Sequence, residues 1–169
     1  MPAGYYPFGY WVANTTTSRW IGPNTSSANG PAGSYTYETT FTIPTSFSTA
    51  SITGQWATDN EGVNILLNGN PIGITNNNQF SQLTSFAISN SSYFKVGTNT
   101  LDFVVNNDGA PTGLEVDNLV ANYSPGILNP PPQAKDDSYS LSKNTTLTVP
   151  LATGVLANDS DPNSHGWYW

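Results

Sequence analysis

Apolar and polar residues alternate along the first part of the chain with the period of a half-buried β-strand. In residues 34–43 the odd positions are Tyr, Tyr, Thr, Phe and Ile, whereas the even positions are mostly Thr, Ser or Glu. The same alternation returns in residues 52–56, 63–67, 101–105 and 114–123. Side chains of a strand point alternately to its two faces, so this pattern predicts strands that are covered on one face.

Turn signals divide these segments into short pieces. The dipeptide Asn68-Gly69 separates two apolar runs, and Asn-Gly is the strongest signal for a two-residue hairpin. No stretch of ten residues has helical periodicity. Seven to nine short strands at this spacing predict an all-β fold, an antiparallel jelly-roll β-sandwich. The residues that the strand phase assigns to its core are Tyr37, Phe41, Trp56, Ile65, Leu67, Phe86, Leu101, Phe103, Val105, Leu114 and Val116.

A proline run marks the strongest change in composition. Asn129-Pro130-Pro131-Pro132 favours extended backbone and removes three backbone donors, which is typical of a linker. The sequence therefore predicts a β-sandwich module at residues 1–128, a Pro-rich linker at 129–133 and a partial second β-sandwich repeat at 134–169.

The tail after the linker has three candidate strands, at residues 138–141, 146–149 and 155–156. Three short strands are too few to build a core of their own. We therefore expect the tail to dock on another surface, with a second copy of the chain favoured over its own first domain.

Composition and charge exclude several classes of function. Lys and Arg number 4 against 11 acids, which gives a net charge of −7, so the chain cannot neutralise a nucleic-acid backbone or bind an anionic membrane surface. It has no cysteine and a single histidine, His165, which leaves almost no material for thiol or Ser-His-Asp catalysis. Nothing places Asp59 opposite Glu115 across a sugar-binding cleft, as a glycosidase would require. We expect no catalytic residues and no enzymatic activity.

Polar uncharged residues take the place of the missing charges. The chain has 18 Ser, 21 Thr and 20 Asn, a composition that is typical of extracellular and cell-surface modules. The first residues lack the basic and apolar regions of a signal peptide, so we expect no signal peptide at this N-terminus. No apolar run is long enough for a membrane span, so we expect no membrane insertion.

Residues 5–124 resemble the galactose-binding-like jelly-roll domains. The resemblance lies in a strand that ends in the Asn68-Gly69 hairpin, a stretch containing Phe80 and Phe86, and a Gly97-x-Asn99-x-Leu101 turn that opens the next strand. Such domains are common as carbohydrate-binding modules and as non-catalytic sandwiches in secreted enzymes and adhesins. The resemblance therefore implies a β-sandwich whose ligand is a glycan.

Residues 133–163 resemble the opening of a bacterial cadherin-like repeat. The string Gly-Val-Leu-Ala-Asn-Asp-x-Asp-Pro at residues 154–162 carries this resemblance. About the first third of a repeat is present, which implies a piece of a longer multidomain surface protein. In such repeats paired aspartates commonly bind calcium, and the matching side chains are those of Asp136, Asp137, Asp159 and Asp161.

The acidic residues of each candidate calcium site have an alternative explanation. Carboxylate and amide oxygens are the ligands that Ca²⁺ prefers, but the same residues are also common in solvated turns. Galactose-binding-like modules sometimes hold a structural Ca²⁺ between loops, which makes Asp59 and Asp117 a second candidate pair. The alternative there is an exposed polar loop beside a strand.

Aromatic rings are the candidate sugar-stacking groups, because a ring face complements the apolar C–H face of a pyranose. Trp20 precedes a Gly-Pro loop, whereas Tyr10 and Trp11 end a dense N-terminal aromatic run. The alternative is that these rings pack in the core or at its edge.

The sequence thus favours a non-catalytic module of a surface or secreted protein that acts in adhesion by binding a glycan or another surface ligand, with Ca²⁺ as a structural cofactor. The alternative is a structural spacer or a self-assembling subunit of a filament or surface layer, whose tail docks on a neighbouring copy. An accessory domain of a secreted hydrolase is a third hypothesis.

Overall fold

Nine antiparallel strands form the first part of the molecule. The computed structural model describes residues 9–24, 27–126 and 130–162, which fall into two units, Met1–Gly126 and Ile127–Trp169. The domain boundary predicted at residues 128–129 lies outside the described residues. The strands are β1 (Asn29–Gly30), β2 (Gly33–Ile43), β3 (Phe47–Asp59), β4 (Glu61–Leu67), β5 (Asn70–Pro71), β6 (Thr84–Ile88), β7 (Gly97–Asn107), β8 (Ala110–Pro111) and β9 (Gly113–Pro125).

Two sheets and a short ribbon organise these strands. One sheet has the order β2-β7-β4-β5 and the other β6-β3-β9, while β1 pairs with β8. Every pairing is antiparallel. The helical pieces of this unit are two three-residue 3-10 turns, Gln79–Ser81 and Ser91–Tyr93, within the described ranges. The predicted fold class, an all-β antiparallel sandwich, is confirmed.

The core lies between the two sheets and matches the predicted strand phase. Phe103 of β7 contacts Trp56 of β3 and Phe86 of β6, with ring centroids 5.7 Å apart in both pairs. Eight of the eleven predicted core residues are buried, and Tyr37, Phe41 and Val116 are partly buried against the same cluster. The prediction of the core is confirmed.

The predicted Asn68-Gly69 hairpin forms between β4 and β5. Asn68 has φ 52° and Gly69 has φ 78°, the two positive φ values of a type I′ turn. The Asn68 side chain donates to the carbonyl oxygen of Tyr93 and to the Asn99 side chain, both at 2.8 Å. The hairpin is therefore tied to the start of β7.

The second unit contains no strand among residues 130–162. Its regular features are an isolated bridge between Gln133 and Ser160 and the 3-10 turn Leu151–Thr153. The strands predicted at residues 138–141, 146–149 and 155–156 are therefore wrong. The physical reason is that the apolar side chains of these segments stay exposed. Leu141 is 56% exposed and Val155 is 64% exposed, whereas a half-buried strand needs its apolar face covered. No helix among the described residues could cross a membrane.

Candidate functional site

The N-terminal segment, residues 9–23, covers part of the outer face of the β6-β3-β9 sheet. Trp11 and Trp20 pack together with a centroid distance of 4.2 Å and cluster with Ala57 of β3. The indole N–H of Trp20 donates to the carbonyl oxygen of Val12 at 2.9 Å. Both rings are buried, at 7% exposure each. This burial matches the alternative considered from the sequence, that the two rings pack at the edge of the core, and ligand binding by Trp11 and Trp20 stays a prediction.

Tyr10 differs from the two tryptophans. It is 60% exposed and meets the Phe80 ring edge-on at 5.5 Å. The structure therefore leaves one of the three predicted aromatic residues at the surface and does not assemble the three into one platform.

Three carboxylates lie beneath or beside the N-terminal segment. The strand register pairs Ala57 with Glu115, Gln55 with Asp117 and Asp59 with Gly113, so the carboxylates share the outer face of the sheet. Asp59 is 2% exposed, Glu115 0% and Asp117 7%. The alternative considered from the sequence, an exposed polar loop, is therefore wrong for these acids.

Glu115 is the most enclosed of the three acids. Its Oε1 accepts a 2.7 Å hydrogen bond from the Ser18 hydroxyl, whereas its Oε2 is buried without a hydrogen-bond partner. Burial raises the pKa of Glu115, the Ser18 bond opposes that shift, and the neighbouring Asp117 charge adds to it. Burial thus makes the Glu115 side chain harder to ionise than a solvent-exposed glutamate.

The pKa values of Asp59 and Asp117 are shifted in opposite directions. Burial raises the pKa of Asp59 to about 6, against a lowering effect of the Trp11 hydrogen bond and a raising effect of Asp108. The Thr17 hydroxyl donates to Asp117 Oδ1 at 2.8 Å, and this bond holds the pKa of Asp117 below its usual value. The two acids therefore belong to different environments.

The acids of this face do not form a recognisable metal centre. Among the described residues, no three His, Cys, Asp or Glu side chains come together as a metal site. The charged neighbour of Asp59 is Asp108, whereas that of Glu115 is Asp117. Ca²⁺ takes six to eight oxygens, carbonyl and amide oxygens among them, and calcium binding by Asp59 and Asp117 stays a prediction.

The acidic turns of the second unit do meet. The backbone N–H of Lys135 donates to Asp159 Oδ1 at 2.8 Å, and the Asn158 side chain donates to the carbonyl oxygen of Asp136 at 3.2 Å. Asp137 lies 3.5 Å from the Tyr139 hydroxyl. The first two contacts join the two turns by hydrogen bonds between side chain and backbone, across 24 and 22 residues. Calcium binding by Asp136, Asp137, Asp159 and Asp161 stays a prediction.

An open depression lies on the β6-β3-β9 sheet, away from the covered acids. Its volume is about 330 Å³. Register places Asn122 beside Ser51 and Tyr123 beside Ala50, and Tyr123 is 39% exposed. The lining residues carry hydroxyl, amide, methyl or phenol groups and no charge: Thr49, Ala50, Ser51, Ser89, Asn122, Tyr123 and Ser124. We call this feature the β3–β9 depression.

Sequence analysis missed the β3–β9 depression. Its residues come from two strands and the end of a third, and only the register brings them together. The available signal was the run of small, mostly polar residues at 48–51 together with Asn122 and Ser124 near the end of the last strand.

Comparison with known proteins carries no argument about this chain. No family model matches the chain, and no curated protein matches it. Among solved structures, the chain is similar to the Streptomyces avermitilis alpha-L-rhamnosidase complexed with L-rhamnose, with 16% identity and a TM-score of 0.40. The match covers 71% of this chain and 13% of the rhamnosidase chain. At that TM-score we infer neither function nor ligand from the likeness.

Proposed function

We propose that the first unit is a non-catalytic extracellular module that binds a neutral glycan in the β3–β9 depression. The observation that carries the proposal is the lining of the depression, in which Ser51 and Asn122 form a register pair with hydroxyl and amide side chains, and which contains no charged group.

The chemistry of this lining suits a sugar. Side chains of Ser51, Ser89 and Asn122 supply donors and acceptors for sugar hydroxyls. Shallow polar sites of this kind bind weakly one at a time, so adhesion would come from repeated modules.

Charge selects the class of glycan. The chain carries a net charge of −7, and no cation lines the depression. A sialylated, sulfated or uronic-acid glycan would therefore meet repulsion without a compensating partner. We expect neutral sugars to be preferred over acidic ones.

Location outside the cell is the second part of the proposal. Abundant Ser, Thr and Asn, low charge and the absence of cysteine support an extracellular or cell-surface setting. The adhesion role follows from this setting together with glycan binding.

A glycan array with matched variants tests the proposal. The chain should bind neutral glycans, Ser51→Ala and Asn122→Ala should weaken that binding, and Tyr10→Ala should leave it unchanged. Tyr10 is the control because it is an exposed residue outside the depression, at 60% exposure. Each variant is checked for an unchanged melting temperature. Absence of binding to every neutral glycan, or loss of binding in Tyr10→Ala alone, would overturn the proposal.

A further inference from the structure

Strand β9 forms one edge of the β6-β3-β9 sheet and is 13 residues long. Near its start the edge is occupied, because Ile21 and Leu114 exchange backbone hydrogen bonds at 2.8 and 2.9 Å. Beyond that point no described strand pairs with the outer side of β9. Residues 116–125 thus form an open edge in the described part of the chain.

The backbone groups of this edge point outward at alternate residues. Ala50, the register partner of Tyr123, donates its N–H to the Ser91 hydroxyl on the β6 side, away from β9. In an antiparallel ladder the two partners of such a pair both turn their N–H and C=O groups away from each other. Tyr123 therefore presents these groups to the open edge, and alternation gives Ala121 the same orientation.

From residue 118 onward the side chains of the open edge are apolar or uncharged. Leu119 is 39% exposed, Val120 48% and Tyr123 39%. No Asp, Glu, Lys or Arg occurs in residues 118–126. Natural proteins usually protect a long edge strand with charges, a short length or a covering element. Among the described residues of this edge, the protecting features are Asp117 and the register irregularity beside Asn118 at one end and Pro125 at the other.

We propose that the open edge of β9 pairs with the same edge of a second copy of this chain. A two-fold axis at Ala121 would place Leu119 of each copy opposite Tyr123 of the other, so two aliphatic–aromatic pairs form at once. The paired window ends before Leu114, where Ile21 already occupies the edge. The two three-stranded sheets would join into one continuous sheet.

Charge is the reason that a second copy would pair with β9 rather than with another edge strand. Two chains with a net charge of −7 repel one another, so a neutral surface is the favoured place for contact. The other long edge strand, β2, carries Glu38, while β5 and β6 have only two and five residues. Antiparallel self-pairing of the β9 edge brings no like charges together within residues 118–126. This inference does not depend on glycan binding.

Cysteine cross-linking tests the proposed axis, because the chain has no cysteine of its own. In Ala121→Cys the two thiols face each other across the axis at a Cα separation of about 5.5 Å, which a disulfide spans. The matched control is Thr40→Cys, an exposed position on β2. Under mild oxidation we expect Ala121→Cys to form covalent dimer on the order of tenfold or more faster than Thr40→Cys, because pairing raises the effective thiol concentration.

Mass in solution gives the second measurement. Light scattering on the full chain should show a mass that rises with concentration from 18.1 kDa toward twice that value. Ala121→Lys places two positive charges opposite each other and should keep the chain monomeric, whereas Thr40→Lys should not. The proposal is overturned by a monomer at every concentration, or by equal cross-linking of the two cysteine variants. If Ala121→Lys fails to fold, the cysteine variants and the wild-type mass decide.

Discussion

The Ser18 hydroxyl donates a 2.7 Å hydrogen bond to the carboxylate of Glu115, across a sequence separation of 97 residues. Both side chains are buried, at 5% and 0% exposure. This bond fixes the N-terminal segment to β9 and gives the enclosed carboxylate its hydroxyl donor.

Removal of that donor should destabilise the first unit. Ser18→Ala leaves both oxygens of a buried Glu115 without a hydroxyl donor, and we expect a loss of about 1–3 kcal/mol in the free energy of unfolding. Urea denaturation gives the value. Thr16→Ala, at an exposed position of the same segment, is the control and should change little. Equal stability of Ser18→Ala and wild type would contradict the importance assigned to this bond.

Acid should stabilise the first unit over a defined range of pH. Burial raises the folded-state pKa of Asp59 from 3.8 to about 6, so the folded state holds its proton more tightly than the unfolded state does. The stabilisation is complete below the unfolded value of 3.8 and is lost as pH rises through about 6. Glu115, whose pKa is also raised by burial, acts in the same direction.

Urea denaturation at a series of pH values between 4 and 7 measures this dependence. We expect the free energy of unfolding to fall as pH rises, and Asp59→Asn to flatten the slope because the amide does not ionise. Asp102→Asn, on β7 of the other sheet, should keep the wild-type slope. A free energy of unfolding that rises over the same range would show that these carboxylates are not buried as described.

Gly62 lies where the structure has no room for a side chain. A Cβ atom there would lie 2.6 Å from the Trp56 ring and 2.8 Å from Asn76 Cβ. Overpacking of this kind should make Gly62→Ala less stable by about 1–3 kcal/mol. Gly9→Ala, where a Cβ would meet nothing within 4 Å, serves as the control. Thermal melting should give a clearly lower melting temperature for Gly62→Ala than for Gly9→Ala, and equal melting temperatures would contradict the prediction.

Asn99 should be among the least replaceable polar residues. Its Oδ1 accepts from Asn68 and from the Lys95 N–H, and its Nδ2 donates to the carbonyl oxygens of Lys95 and Gly97, at 2.7–3.1 Å. Asn99→Ala leaves several buried groups unpaired, and we expect a loss of about 3 kcal/mol in the free energy of unfolding. Exposed Asn77→Ala is the control. Unchanged stability of Asn99→Ala would show that water replaces these bonds.

Calcium is tested by melting in excess Ca²⁺ and in chelator. The cadherin-like resemblance predicts that a ligand bound only by the folded state raises stability, by about 2.7 kcal/mol at a hundredfold excess over Kd. Asp136→Asn with Asp159→Asn should remove that increase, whereas the amide oxygen introduced at position 159 can still accept the hydrogen bond from the Lys135 N–H. Identical melting in both conditions would remove calcium from the account.

The sandwich core could be predicted because strand period is a local property of the sequence. Ile65 and Leu67 are buried as the alternation requires, at 0% exposure. Val63, in the same phase, is 41% exposed because a register shift between Gly62 and Asn64 turns the strand. A bulge depends on the partner strand, which the local pattern does not contain.

The site could not be predicted in the same way. Burial of Trp11 and Trp20 depends on how the N-terminal segment lies over β3, a contact between distant parts of the chain. The β3–β9 depression depends on the register that brings Asn122 beside Ser51. The prediction of strands in the tail was wrong for a related reason, since alternation predicts a strand only where another layer covers its apolar face.

Chemical-shift mapping of the labelled chain with a neutral oligosaccharide tests the central claim most directly. Binding in the β3–β9 depression predicts that the perturbed amides are those of residues 49–51, 89 and 122–124. Perturbation around Tyr10 and Phe80, or no perturbation at saturating sugar, would contradict glycan binding at this site.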